Sequence, residues 1–212
     1  MITAVGAVAA GLLLVLVDLR FGGVDAVPDV LGWVLVVLGT RALARTDPRW
    51  RPVVLLAAVA ALLSLASLWH PVVTVTAPGA GDGVTTSTTG PVDPVGLHGL
   101  LVSAHHAVAV VCSVLLSLRV RDRARAHDDG PVARRFTRFA VLHAVLGAVV
   151  LLVSVVAALE GTPEQDVTGS VGWVLLVLVV AAVAVQVWFV AALAGVRQLP
   201  WLQPGSAAVR PR

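Results

Sequence analysis

His98, His105 and Cys112 recur at intervals of seven residues, His106 adjoins the second histidine, and Gly99, Ser103, Ser113 and Ser117 run alongside. On a helix these residues share one face, while Leu97, Leu101, Ala104, Val108, Val111, Leu115 and Leu118 form the other. Imidazole changes charge near neutral pH and binds transition metals, and a thiol can act as nucleophile or ligand. A further histidine, His143, lies in the next apolar run with Gly147 and Ser154, and Gln186 lies in the last run. Counting inward from the ends of the runs places His143 near the depth of Cys112, with His105 and His106 about one to two helical turns further out. Cys112 and His143 could therefore meet, whereas His106 and His143 are expected to be offset.

This polar seam supports several chemistries. Neutral histidines could hydrogen-bond across helices as packing glue, at about 0.6 to 2 kcal/mol per contact. The seam could instead line a path for a proton, an ion or a small solute, with Gln186 as a further lining group. Imidazoles could also hold haem or a transition metal, although a bis-histidine haem needs rings at matched depth. A Cys112–His143 nucleophile is conceivable but has no third orienting group. No H-E-x-x-H, G-x-S-x-G, Walker or dinucleotide fingerprint occurs, so no enzyme activity and no resident cofactor are expected.

The elements that would position these residues follow from composition. Of 212 residues, 58% are hydrophobic and 13% charged, with mean hydropathy +0.94. Soluble domains carry about 25% charged residues, so a soluble globular enzyme and a disordered chain are both excluded. A bilayer-spanning helix needs about 20 apolar residues, and six such runs occur, at 2–19, 28–45, 52–69, 95–118, 137–159 and 170–195. The expected fold is all-α, a six-span transmembrane bundle forming one integral membrane domain over 1–200. A loop over 77–94 is expected to be flexible, and a short cytoplasmic tail covers 201–212. The first run lacks a basic leader and a cleavage site, and reads as a retained span.

All 15 basic residues are arginine, and Lys, Asn and Tyr are absent, a bias that suggests GC-rich codons and an actinobacterial style. The pI near 10.9 would suggest nucleic acid for a soluble protein. Here, however, every arginine except Arg20 falls on one side of the six-span arrangement. By the positive-inside rule both termini are then cytoplasmic, in a multi-pass protein of the cell membrane, with no nucleic-acid partner expected. Arg119, Arg121, Arg123, Arg125, Arg134, Arg135 and Arg138 are expected to anchor on anionic lipid headgroups, at about 1 kcal/mol per arginine. Trp33, Trp69 and Trp173 are placed near outer headgroup level, Trp50 and Trp201 near inner. Trp188 falls within the last span. Gly6, Ala7, Ala10 and Gly11 give small-xxx-small spacing suited to a homo-oligomer or to internal packing. Gly32-Trp33-Val34-Leu35 recurs at Gly172-Trp173-Val174-Leu175, which chance or a duplicated hairpin would produce.

In the first hairpin, Gly22 and Gly23 permit a tight reversal, Pro28 and Asp29 suit a helix start, and Arg20 could pair with Asp25 or Asp29. Asp18 sits at the membrane end of the first run and could point inward at an entry. This Asp-x-Arg, Gly, Asp-x-x-Pro-Asp-x-x-Gly-aromatic pattern, from Asp18 to Leu43, resembles the first two spans of a family of small uncharacterised polytopic membrane proteins of Firmicutes and Actinobacteria. Trp33 stands where Tyr is commoner in that pattern. The resemblance covers about an eighth of the chain and implies a membrane topology but no mechanism, leaving a transport role, a structural subunit with unknown partner, and a metal or haem protein all open.

Overall fold

The computed structural model describes residues 3–16, 20–21, 24–25, 29–65, 72–76, 85–89, 97–160 and 170–202. Among the described residues six α-helices carry the fold: α1 Ala4–Leu16, α2 Asp29–Thr46, α3 Arg51–Ser64, α4 Leu97–Ala126, α5 Gly130–Glu160 and α6 Ser170–Val196. Successive helices pack on one another, and α6 returns to α1, so the six close into a ring. Within this set, Ser103–Ala126 and Gly130–Leu152 are long and apolar enough to cross a bilayer. Large aliphatic side chains including Leu31, Leu38, Leu55, Leu62, Val141, Val145 and Val177 face outward, each more than half exposed.

The α1–α2 contact is set by glycine. A Cβ on Gly32 would lie 2.6 Å from the Gly11 carbonyl oxygen, and one on Gly11 would collide with the Gly32 carbonyl. Gly39 meets Ala4 in the same way. Gly32, Val36, Gly39 and Leu43 are all buried and follow helical spacing, so one narrow face of α2 lies flat on α1. The small residue Gly11 therefore serves packing within the chain.

Two short antiparallel ladders join the helices. Strand β1, Arg20–Phe21, pairs with β2, Val24–Asp25, and the register sets Arg20 opposite Asp25. That register leaves positions 22 and 23 between the strands, where Gly22 and Gly23 stand outside the described residues with Asp18 and Pro28. Asp29 opens α2 as an acidic residue in its first turn. Strand β3, Val72–Thr76, pairs with β4, Thr85–Thr89. The connection over 77–94 therefore contains a strand where no regular structure is expected, because β-branched Val and Thr favour the extended backbone without needing apolar alternation.

A second difference concerns the arginine-rich segment. Expected as a connection between spans ending at 118 and starting at 137, it is almost wholly helical, with α4 running to Ala126 and α5 starting at Gly130. Arg and Ala are strong helix formers, so the helices outlast their apolar stretches. The reversal is a Schellman turn: Asp128 takes φ +56°, Asp129 N–H donates to Ala124 O at 2.9 Å and Asp128 N–H donates to Arg125 O at 3.2 Å. Asp129 Oδ1 then accepts from Val132 N–H at 3.2 Å and caps α5. At the other extreme, α1 covers 13 residues and α3 covers 14, and the remaining ends of the first and third apolar runs lie outside the described residues.

Candidate functional site

Helix α4 supplies the site's first wall. Its side chains at His105, Cys112, Ser113 and Ser117 are buried, as expected for the polar face; His98 lies on the same helix, its side chain outside those described. His105 turns to α2, where the Trp33 indole N–H donates to His105 Nε2 at 3.0 Å. The two rings meet edge-on with centroids 6.0 Å apart. An indole N–H only donates, so Nε2 carries no proton and the ring is neutral. Trp33 is 1% exposed, so its ring packs inside the bundle. The close approach of Gly32 to α1 turns the next residue into the bundle, where its N–H meets His105.

Cys112 turns to α3 and not to His143. Its Sγ lies 4.0 Å from the Val53 carbonyl oxygen, and the thiol is 2% exposed. His143 of α5 faces α6: its Nδ1 sits 2.9 Å from Phe139 O and its Nε2 2.9 Å from Gln186 Oε1. The expected meeting of Cys112 with His143 is therefore replaced by two separate contacts, because α4 presents Cys112 on the flank that packs on α3. Edge-on packing of His143 on Phe189, 4.8 Å between centroids, fixes the imidazole plane.

His106 and His143, expected at different depths, line one cavity of about 330 Å³ that opens to the surface of the bundle. Walls come from Leu12, Val15 and Leu16 of α1, Val150 of α5 and Val183 of α6, with Trp33 contributing from α2. The polar lining is His106, Ser113, His143 and Gln186. His106 stacks on His105 with centroids 5.9 Å apart and is the exposed one of the two histidines that line the cavity. Trp33, Phe189 and the α1 wall escape the sequence reading; the Gly32/Gly39 spacing is the signal that would have drawn Trp33 inward.

Among the described residues no three His, Cys, Asp or Glu side chains gather into a metal-binding group. His105 Nε2 and both nitrogens of His143 are engaged within the protein. The arginines separate into classes. Arg121 forms a bidentate contact to Asp122 Oδ1 at 2.7 and 2.9 Å, and Arg119 lies 4.0 Å from the other oxygen. Buried nitrogens of Arg119 and Arg123 lack a hydrogen-bond partner, whereas Arg125, Arg134, Arg135 and Arg138 are exposed. No protein-family model, curated protein or solved structure matches the chain.

Proposed function

We propose that the chain is a multi-pass integral membrane protein, with six spans and both termini cytoplasmic, whose inter-helical cavity admits a small solute and passes it through the bundle. The observation that carries this reading is the cavity itself, about 330 Å³ among α1, α4, α5 and α6 with four polar groups in an otherwise apolar wall. Ligand sites are concave, mostly apolar, and upward of about 300 Å³. Outward-facing aliphatic side chains and the one-sided arginines support the bilayer setting. The exposed arginines at the α4–α5 turn are assigned to anionic headgroups. The resemblance of the first hairpin to small membrane proteins of Firmicutes and Actinobacteria belongs to the same proposal.

A small solute is favoured over a bare ion or proton because the wall is apolar and His105 and His143 are held by Trp33, Phe139 and Gln186. A second reading, a structural subunit with no transport, draws support from those same inter-helical bonds, which serve as packing glue. His106 distinguishes the two, since glue has no use for an imidazole turned into a cavity. Stopped-flow light scattering of proteoliposomes under a butane-1,4-diol gradient tests the reading. The solute should enter faster than in protein-free vesicles and slow again in Ala109→Leu/Ala182→Leu, which fills the cavity; equal rates in all three would reject passage.

A further inference from the structure

The polar groups of the cavity are all uncharged types. Among the described lining residues there is no arginine, aspartate or glutamate, so a carboxylate, phosphate or ammonium group placed there would lose its hydration without a counter-charge. The occupant must be neutral. Most of the wall is aliphatic, from Leu12, Val15, Leu146, Val150 and Val183, so the greater part of the occupant must be hydrocarbon.

The polar end of the cavity defines the head group. Phe139 O can only accept, so His143 Nδ1 carries a proton and donates to it at 2.9 Å. In the neutral ring Nε2 is then an acceptor, and the partner it needs at 2.9 Å is the NH₂ of the Gln186 amide. Amide oxygen and nitrogen occupy equivalent positions on rotation about the terminal bond. Turned so that NH₂ meets His143, Gln186 directs its carbonyl oxygen away from that ring as an acceptor, and the neutral His106 ring adds one donor and one acceptor. A hydroxyl can donate to the Gln186 carbonyl and accept from the His106 N–H at once.

Resting on the proposed solute-holding role, we infer that the cavity takes a neutral aliphatic alcohol, its hydroxyl between His106 and Gln186 and its chain along the α1 and α5 walls. A cavity of about 330 Å³ suits a short-chain alcohol. The cavity opens to the bundle surface, through which such an amphiphile can arrive from surrounding hydrocarbon.

Photolabelling of the detergent-purified chain tests this with three chain-diazirine probes of equal length: octan-1-ol, octanoate and octane. Labelled peptides are mapped by mass spectrometry with and without excess unlabelled octan-1-ol. The alcohol should label α1 and α5 lining residues in a competable manner, about tenfold above the other two, the factor expected for one satisfied hydrogen bond. His106→Leu should reduce alcohol labelling to the octane level while leaving the unfolding temperature near wild type. Preferential labelling by octanoate, or equal labelling by octane, would overturn the head-group assignment while leaving a solute-holding cavity intact. Absence of competable labelling by all three would overturn both.

Discussion

The Trp33 indole donates to His105 Nε2 at 3.0 Å, joining α2 to α4 across 72 residues of sequence. Both side chains are buried, so neither can exchange its partner for water. Such a bond has a small net worth when made and a larger cost when half removed. Trp33→Phe keeps the aromatic bulk but strands His105, and should destabilise the protein by about 1 to 3 kcal/mol. Combined with His105→Leu the effects should be less than additive, by about 0.5 to 3 kcal/mol. Unfolding of the four proteins in one detergent measures this cycle; strict additivity would show that the bond contributes nothing.

The His143–Gln186 contact across α5 and α6 obeys the same asymmetry. Gln186→Leu removes the partner of a buried imidazole nitrogen and should cost about 1 to 3 kcal/mol. His143→Leu/Gln186→Leu should recover part of that loss, because no polar atom is then left unpaired. A double variant less stable than either single one would contradict the assigned pairing.

Glycine substitutions separate close packing from free surface. Gly32→Ala places a methyl within 2.6 Å of the Gly11 carbonyl oxygen and should destabilise by about 1 to 3 kcal/mol through forced separation of α1 and α2. Gly195→Ala meets nothing within 4 Å and should be neutral or stabilising by up to about 1 kcal/mol, since alanine is the better helix former. Thermal unfolding of the two variants against wild type checks both signs.

Orientation can be read by thiol labelling in a Cys112→Ala background. In intact cells an impermeant maleimide should label Thr86→Cys of β4 directly. Arg134→Cys at the start of α5 should react only after permeabilisation. The reverse pattern would invert the proposed topology.

Much of this architecture is legible in the sequence, and the exceptions have physical causes. Helices α2 and α6 begin and end within a residue of their apolar runs, Asp29–Thr46 against 28–45 and Ser170–Val196 against 170–195. The α4–α5 hairpin is different because hydropathy locates the bilayer, whereas arginine and alanine continue a helix into water. Polar-face periodicity correctly buries His105 and Cys112 on α4. It says nothing of which neighbour each meets, since that depends on helix rotation. Rotation of α2 is set by Gly11 against Gly32, a contact between segments 21 positions apart, and with it goes Trp33. Cys112 misses His143 for the same reason: the ends of the runs carry no information on azimuth.

Reaction of a cysteine at Ser113 tests the central claim, a cavity inside the bundle accessible to a small neutral solute. Ser113 lines the cavity, whereas Ser117, one turn away, is 0% exposed and donates to Ser113 O at 2.8 Å. In the Cys112→Ala background, methyl methanethiosulfonate should modify Ser113→Cys at least about tenfold faster than Ser117→Cys, the equivalent of 1.4 kcal/mol in access. Adding Ala109→Leu/Ala182→Leu should slow that reaction. Equal rates at the two positions, unaffected by filling the cavity, would contradict the account.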